Sequence, residues 1–320
     1  MERVSCIILK NIMNPPRFLI VGAAGFIGSH LYARLGAERA VATYHNSPVA
    51  GGVYFDAKSM RITEVLRDTP GITHAFLLHG IGKLDECARD PEGTSKINVI
   101  GMRQIIDDLA THDIKVVFTS TDAVFDGTRG HWTEEDATNP VMTYGKQKVE
   151  VERHLSATAR NWIVARLSKV VGSDPGDHSL FGEWVRRINA GEPIRCAGDL
   201  VMTPIYVEDV VTALIELAEG EFNGIFNVCG TRSMSRLDLL RMFIAAVRKY
   251  RVVDSTVIPC SIRDFAFNET RPRNQSMIPD KLFNALGHKC ETMQSVCERI
   301  AAEVYGPPAR SISVPATSAP

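Results

Sequence analysis

A chain of 320 residues, 45% hydrophobic and 23% charged, can bury a large core without disulfide or metal staples, and its composition excludes a disordered or fibrous protein. With 36 basic and 37 acidic side chains the formal charge is -1, which excludes the basic footprint of a nucleic-acid binder or of a protein held on an anionic membrane; an anionic ligand must meet local cations. The cysteines, Cys6, Cys87, Cys196, Cys229, Cys260, Cys290 and Cys297, are odd in number and lack a C-x-x-C pair, so they read as reduced thiols in a reducing compartment.

Along the chain, the apolar stretch Ser5–Leu9 is too short for a signal-peptide core and runs into Lys10 and Pro15-Pro16. No run of 18 apolar residues follows, so the expectation is a cytoplasmic protein with no membrane partner. From Arg17 short apolar runs alternate with amphipathic segments, as in βαβ units on a parallel sheet. Buried strands are expected at Phe18–Val21, Ala40–Tyr44, Ala75–Leu78, Lys115–Thr119 and Trp162–Leu167, with helices near Gly28–Leu35, Ile97–Ala110 and Gly145–Leu155.

After about Gly172 the spacing loosens. Helices are expected near Leu180–Asn189 and Val207–Ala218, a strand at Ile225–Val228, and a helix to about Arg248 opened by a capping box, Ser235 with Asp238. The fold class is therefore α/β, a doubly wound parallel sheet of the Rossmann type over 17–172, parts of the later chain returning to it. A smaller α/β substrate lobe covers 173–305, and a periodicity-free tail, rich in Pro, Ser and Ala, covers 306–320.

Gly22-Ala23-Ala24-Gly25-Phe26-Ile27-Gly28 follows the first strand and opens a helix, the context that makes a glycine pattern a dinucleotide-binding signal. Gly22 serves the tight turn, Gly25 the approach of backbone to a pyrophosphate, and Gly28 close packing of helix on strand; Phe26 and Ile27 complete the loop. The second strand ends Tyr44-His45-Asn46 without the acid that holds a ribose 2′-hydroxyl. NADP(H) is thereby favoured, with NAD(H) left open because no arginine stands there for a 2′-phosphate. Asp56 is a candidate for the adenine amino group, and His79 with Gly80, after the Ala75–Leu78 strand, for contact with the cofactor.

Tyr144 and Lys148 stand at i and i+4, on one helix face, and Thr119-Ser120-Thr121-Asp122 ends a strand at the sheet edge where ligands gather. When hydride reaches a carbonyl carbon a proton donor must stand about 3 Å from the oxygen. Tyr144 fits as acid/base, Lys148 as the ammonium that lowers its pKa together with the nicotinamide charge, both being candidates for cofactor contact as well, and Thr121 as a hydrogen-bond partner of the substrate oxygen. Two cationic side chains in the second half, Arg271 supported by Arg273, are candidates for a substrate diphosphate. The nine histidines show no H-x-x-x-H or clustered Cys/His spacing, so no metal is expected.

Together the glycine loop, Ser120-Thr121-Asp122, Val124-Phe125-Asp126-Gly127 and Tyr144-x-x-x-Lys148 resemble the extended short-chain dehydrogenases, and within them the dTDP-4-dehydrorhamnose reductases, from about Arg17 to Val304. Asn98 in Ile-Asn-Val-x-Gly, Glu135-Asp136 before Asn139-Pro140, and Arg271-Pro272-Arg273-Asn274-Gln275-Ser276 extend the likeness. The resemblance implies NAD(P)H-dependent reduction of a 4-keto nucleotide-diphosphate sugar, a cofactor contact at Asn98, substrate contacts at Asp122 and Ala123, and a homodimer joined through the Ile97–Ala110 and Gly145–Leu155 helices. The chain departs from the family where Ala123 replaces a tyrosine and where His79-Gly80-Ile81-Gly82 replaces A-A-x-T, both segments facing substrate in those enzymes. A 4,6-dehydratase of the same fold needs an Asp-Glu pair after the threonine, and Ala123 follows Asp122 here. A 4-epimerase, using the same Tyr and Lys, and a non-catalytic NADP-binding regulatory subunit, like that of methionine adenosyltransferase, remain the alternatives.

Overall fold

The computed structural model describes residues 15–172 and 179–307. Among the described residues thirteen strands follow one another: β1 (Phe18–Val21), β2 (Ala40–Tyr44), β3 (Val53–Tyr54), β4 (His74–Leu77), β5 (Lys115–Thr121), β6 (Trp162–Leu167), β7 (Val170–Val171), β8 (Ile194–Ala197), β9 (Val201–Met202), β10 (Ile205–Tyr206), β11 (Gly224–Val228), β12 (Met234–Ser235) and β13 (Val257–Cys260). Seven of them form one parallel sheet in the order β11-β6-β5-β4-β1-β2-β3, and the other six pair off in three two-stranded ribbons. The strands of this sheet are short apolar runs because both faces are covered: all four residues of β1 are buried.

Helices α1 (Phe26–Arg39), α2 (Ile62–Asp68), α3 (Leu84–Arg89), α4 (Pro91–Ser95), α5 (Met102–Thr111) and α6 (Thr143–Thr158) lie in the first half. The second half contributes α7 (Leu180–Ala190), α8 (Val207–Glu219), α9 (Arg236–Val247), α10 (Asp280–Leu286) and α11 (Met293–Tyr305). One face of the sheet is covered by Leu31 and Leu35 of α1 and by Val210 to Ala218 of α8. Against the other lie Ile62 and Val65 of α2, Met102 to Leu109 of α5, and Val151 and Leu155 of α6. A separate core centred on Phe181, Trp184, Leu240 and Phe243 holds α7, α9 and α11 together.

The later chain returns to the first half through β11 beside β6, through α8 against the sheet, and through α10, whose buried Leu282 joins the same core. Ser235 caps α9 as its spacing predicts, its hydroxyl accepting from the Asp238 amide at 3.0 Å. Several expected bounds shift: the strand expected at Ala75–Leu78 runs His74–Leu77, that at Ile225–Val228 starts at Gly224, the helices expected at Gly28–Leu35 and Gly145–Leu155 extend at both ends, and β5 runs on to Thr121, placing Thr121 at the strand's carboxyl end. The helix expected from Ile97 begins as a π-turn, Lys96–Gly101, before α5. Helices α3 and α4, 6 and 5 residues long, are too short to show a period, and α2, α10 and the 13-residue α11 lie outside the expected helices as well. Cys6 and all but the first two residues of the expected tail lie outside the described residues.

Candidate active site

The strand order reverses between β1 and β4, and ligands of open parallel sheets bind outside the strand ends at such a point. There the loop after β1 meets the loop after β4. Gly22 has φ +97°, and a Cβ on it would stand 2.8 Å from the His79 amide nitrogen. Gly28 is demanded by packing too, since its Cβ would lie 2.3 Å from the Gly22 carbonyl oxygen; the contact is with the loop rather than with the strand. Gly25 differs: a Cβ there would meet only the Gly22 oxygen, at 3.4 Å. Among the described residues nothing requires this glycine, and its missing side chain leaves room on the outer side, where a pyrophosphate would approach the backbone.

A cavity of about 240 Å³ opens beside this loop, lined by Gly22, Tyr44, His45, Asp56, His79 and Gly80 among others. Sequence reasoning missed Lys58, which lines it as well. The Asp56 carboxylate accepts from the Lys58 amide (3.0 Å) and the Ser59 hydroxyl (2.8 Å), and these bonds, the backbone one foremost, hold its pKa below the usual carboxylate range. His45 stacks on Tyr54, ring centroids 5.8 Å apart. Both ring nitrogens of His79 are shut off from solvent and have no hydrogen-bond partner, and burial, aided by the Lys148 charge, pushes its pKa down to about 4. A neutral imidazole whose two nitrogens lack partners, beside Gly22 and Gly80 in the cavity wall, is what a polar group bound here would complete.

Asn98 needs correction. It is 4% exposed and fully engaged, accepting from the Ile81 amide (2.7 Å) and donating to the Ile81 carbonyl (3.0 Å) and to Gln147 (2.7 Å). It braces the loop that carries Gly80 and does not line the cavity. Ile27 likewise packs into hydrophobic core.

A second cavity, of about 850 Å³, adjoins the carboxyl ends of β5 and β6 and is walled by both halves of the chain. Phe26, Thr121, Asp122, Tyr144 and Arg271 line it. Lys148 stands behind Tyr144, 6% exposed; its ammonium donates to the Thr119 carbonyl (2.8 Å) and lies 4.5 Å from the Phe118 ring centroid and 5.7 Å from that of Tyr144. Burial pushes the Lys148 pKa down to about 8. Burial, followed by the proximity of Cys87 and Asp122, pushes Tyr144 well above the ordinary phenol. The expectation that Lys148 lowers the Tyr144 pKa is thus not met by the chain alone: its side chains hold Tyr144 as a neutral phenol, able to give a proton rather than take one.

The Thr121 hydroxyl lies at the cavity wall, donating to Asp122 (3.2 Å) and accepting from the Ala123 amide (3.1 Å). Burial raises Asp122 to about 6 despite hydrogen bonds from Thr121 and Ser168. Ala123 is corrected: it is 3% exposed, absent from the cavity wall, and its carbonyl would stand 2.1 Å from a Cβ on Gly145, so it serves the close approach of α6. Arg271 reaches the cavity with its guanidinium 2.7 Å from Asp85 and over the Phe267 ring at 4.7 Å. Arg273 points elsewhere, pairing with Asp199 at 3.5 Å, and does not line the cavity. Lys83, Arg89, Lys169 and Arg236 also line it. Sequence reasoning passed over them; Lys169, two residues beyond a strand end at the ligand-bearing edge, had a readable signal, and the others had none.

Among the described residues no group of three or more His, Cys, Asp or Glu could hold a metal, and no helix is long and apolar enough to cross a membrane.

This fold and this Tyr-Lys-Thr arrangement define an NAD(P)-dependent oxidoreductase of the extended short-chain dehydrogenase/reductase type. Residues 16–305 match the family described as the RmlD substrate binding domain, and the chain belongs to that family. It is 25% identical to the probable low-salt glycan biosynthesis reductase Agl14 of Haloferax volcanii, covering 86% of this chain and 94% of that protein. A dTDP-4-dehydrorhamnose reductase of Aggregatibacter actinomycetemcomitans is 26% identical, over 68% of this chain and 77% of its own. The methionine adenosyltransferase 2 subunit beta of Bos taurus is 24% identical, with 73% of each chain covered. In three dimensions the chain overlays a dTDP-4-dehydrorhamnose reductase of Bacillus anthracis, solved with NADP, at a TM-score of 0.77 and 22% identity, covering 90% of this chain and 99% of that one.

Proposed function

We propose that the chain reduces the keto group of a 4-keto nucleotide-diphosphate sugar, with NADPH as the preferred reductant. The reading rests on one observation: Tyr144, held as a neutral phenol, and Thr121 share an 850 Å³ cavity wall with the half-buried Arg271. The dinucleotide, when bound, supplies the hydride; Gly22, Gly25, Tyr44, His45, Asp56, Lys58, His79 and Gly80 are the residues that would hold it.

Thr121 orients the substrate carbonyl by its hydroxyl, and Tyr144 gives the oxygen its proton as negative charge develops there. Lys148 faces the resulting phenolate from behind and steadies it by its ammonium. Arg271 exchanges part of its bond to Asp85 for phosphate oxygens, a geometry a guanidinium matches in pairs. The absence of an acid at Tyr44–Asn46 and the presence of Lys58 support NADPH over NADH. A cytoplasmic homodimer belongs to the same proposal and rests on the family resemblance.

The test is NADPH oxidation with a panel of 4-keto nucleotide sugars. Turnover with at least one member is the expected result. Tight dinucleotide binding without turnover of any member would reject the reductase and favour the regulatory-subunit reading, to which the similarity to the bovine protein points.

A further inference from the structure

Helix α6 carries both Tyr144 and Lys148, yet it opens without a cap of its own: Met142, at the N-cap position, offers no side-chain acceptor to the exposed amides of the first turn. The acceptor comes from a residue 126 positions away. Both carboxylate oxygens of Glu269 lie 3.0 Å from the Thr143 amide nitrogen, and the Thr143 hydroxyl donates to the same group. A carboxylate there also suits the positive end of the helix. Thr143 is the residue next to the proton donor.

Glu269 sits in a strap, residues 267–271, of which Phe267 and Arg271 line the large cavity. The Asn268 amide donates to Asp85 at 3.0 Å, its side chain to the Asp85 carbonyl at 3.3 Å, and Arg271 to the Asp85 carboxylate at 2.7 Å. The other arm of the Arg271 guanidinium lies 3.3 Å from the sulfur of Met142, the residue that opens α6. The strap therefore touches the start of the catalytic helix twice, through Glu269 and through the side chain proposed to take the substrate phosphates.

We propose that Glu269 is a positioning residue for Tyr144, and that the 267–271 strap links occupancy of the large cavity to the placement of the proton donor. The linkage rests on the functional reading above; the cap itself does not. A hydroxyl whose place about 3 Å from a carbonyl oxygen must be kept to roughly half an ångström cannot ride on a fraying first turn, and a carboxylate anchored from the opposite wall removes that freedom. When phosphate oxygens draw Arg271 away from Asp85 and Met142, the strap and its Glu269 move as one covalent segment.

Three variants, read by amide exchange and by turnover, test this in the full chain. Glu269→Ala should speed amide hydrogen exchange at residues 143–146 about tenfold and lower kcat about tenfold, with the dissociation constant for NADP+ unchanged. Glu269→Gln, whose amide oxygen still accepts from Thr143, should recover most of both. Thymidine diphosphate added to the native protein should alter exchange at residues 143–146, and should fail to do so in Arg271→Ala. Unchanged exchange in Glu269→Ala overturns the cap, as does equal damage from Ala and Gln with a matching loss of melting temperature. Exchange indifferent to thymidine diphosphate overturns the linkage. A native protein that reduces no 4-keto sugar defeats the functional reading instead, and the exchange rates of Glu269→Ala then decide the cap alone.

Discussion

The cavity beside the glycine loop and the one at the ends of β5 and β6 are held open by different means. The small one takes its lining from Val21 to Ile97, around the ends of β1, β2 and β4 and the close approach of Gly22 to His79, so backbone geometry shapes it. The large one takes its lining from Phe26 to Gln275 and is closed by side-chain pairs between distant segments, Arg271 with Asp85 and Arg236 with Glu183 among them. A backbone-shaped cleft withstands the loss of single side chains, whereas a cleft assembled from ion pairs responds to each of them. Cofactor binding and substrate handling should therefore separate under mutation.

The largest separation is expected from Tyr144→Phe, which removes only the donated proton. Turnover should fall by a factor on the order of 10² to 10⁴ while a fluorescence titration gives the native dissociation constant for NADP+. Loss of dinucleotide binding in this variant would mean the two cavities are not independent. Arg271→Ala should weaken a nucleotide diphosphate by roughly 1.5–3 kcal/mol, or about ten- to 150-fold, since a charged hydrogen bond is lost and Asp85 keeps the Asn268 amide. Calorimetry showing unchanged affinity would remove Arg271 from the site.

On the other side of the comparison, His79→Phe should weaken NADP+ about tenfold and leave nucleotide diphosphate binding as it was. The same change should raise the melting temperature of the ligand-free protein, because two buried nitrogens without partners disappear, each a burden on the order of 1–3 kcal/mol. A lower melting temperature would show that the imidazole supports the fold rather than the ligand. Smallest is Lys58→Ala: NADPH should be used at least as well as NADH by the native chain, and the variant should shift that ratio toward NADH by about three- to fivefold at low salt. A large native advantage for NADH would show that some other group reads the ribose.

What could be read from the sequence follows the same division. Strands β1, β2 and β6 were placed to the residue because short apolar runs between glycine and polar breaks leave little choice, and Gly22 and Gly28 carry local steric demands. Tyr144, Lys148 and Thr121 were legible because spacing on one helix and a strand end are local patterns. Local pattern also misled: Asn98 and Ala123 sit in motif segments, but burial turns one into a loop brace and the other into packing for α6. Lys58, Arg236 and Glu269 carry no motif at all. Their roles arise from segments that meet only in the folded chain, as Glu269 meets Thr143 across 126 residues.

One consequence of the topology concerns recombination. Because β11 closes the sheet beside β6 and α8 covers the face shared with α1, a chain cut after residue 172 would bare the Ile163–Leu167 edge and the apolar floor around Phe18 and Ile20. Exchanging the substrate-facing part for that of a relative thus requires an insertion with two junctions on each side of the 207–228 segment, not a single splice. New specificities in this architecture should be reached by replacing the loops that line the large cavity while that returning segment stays in place.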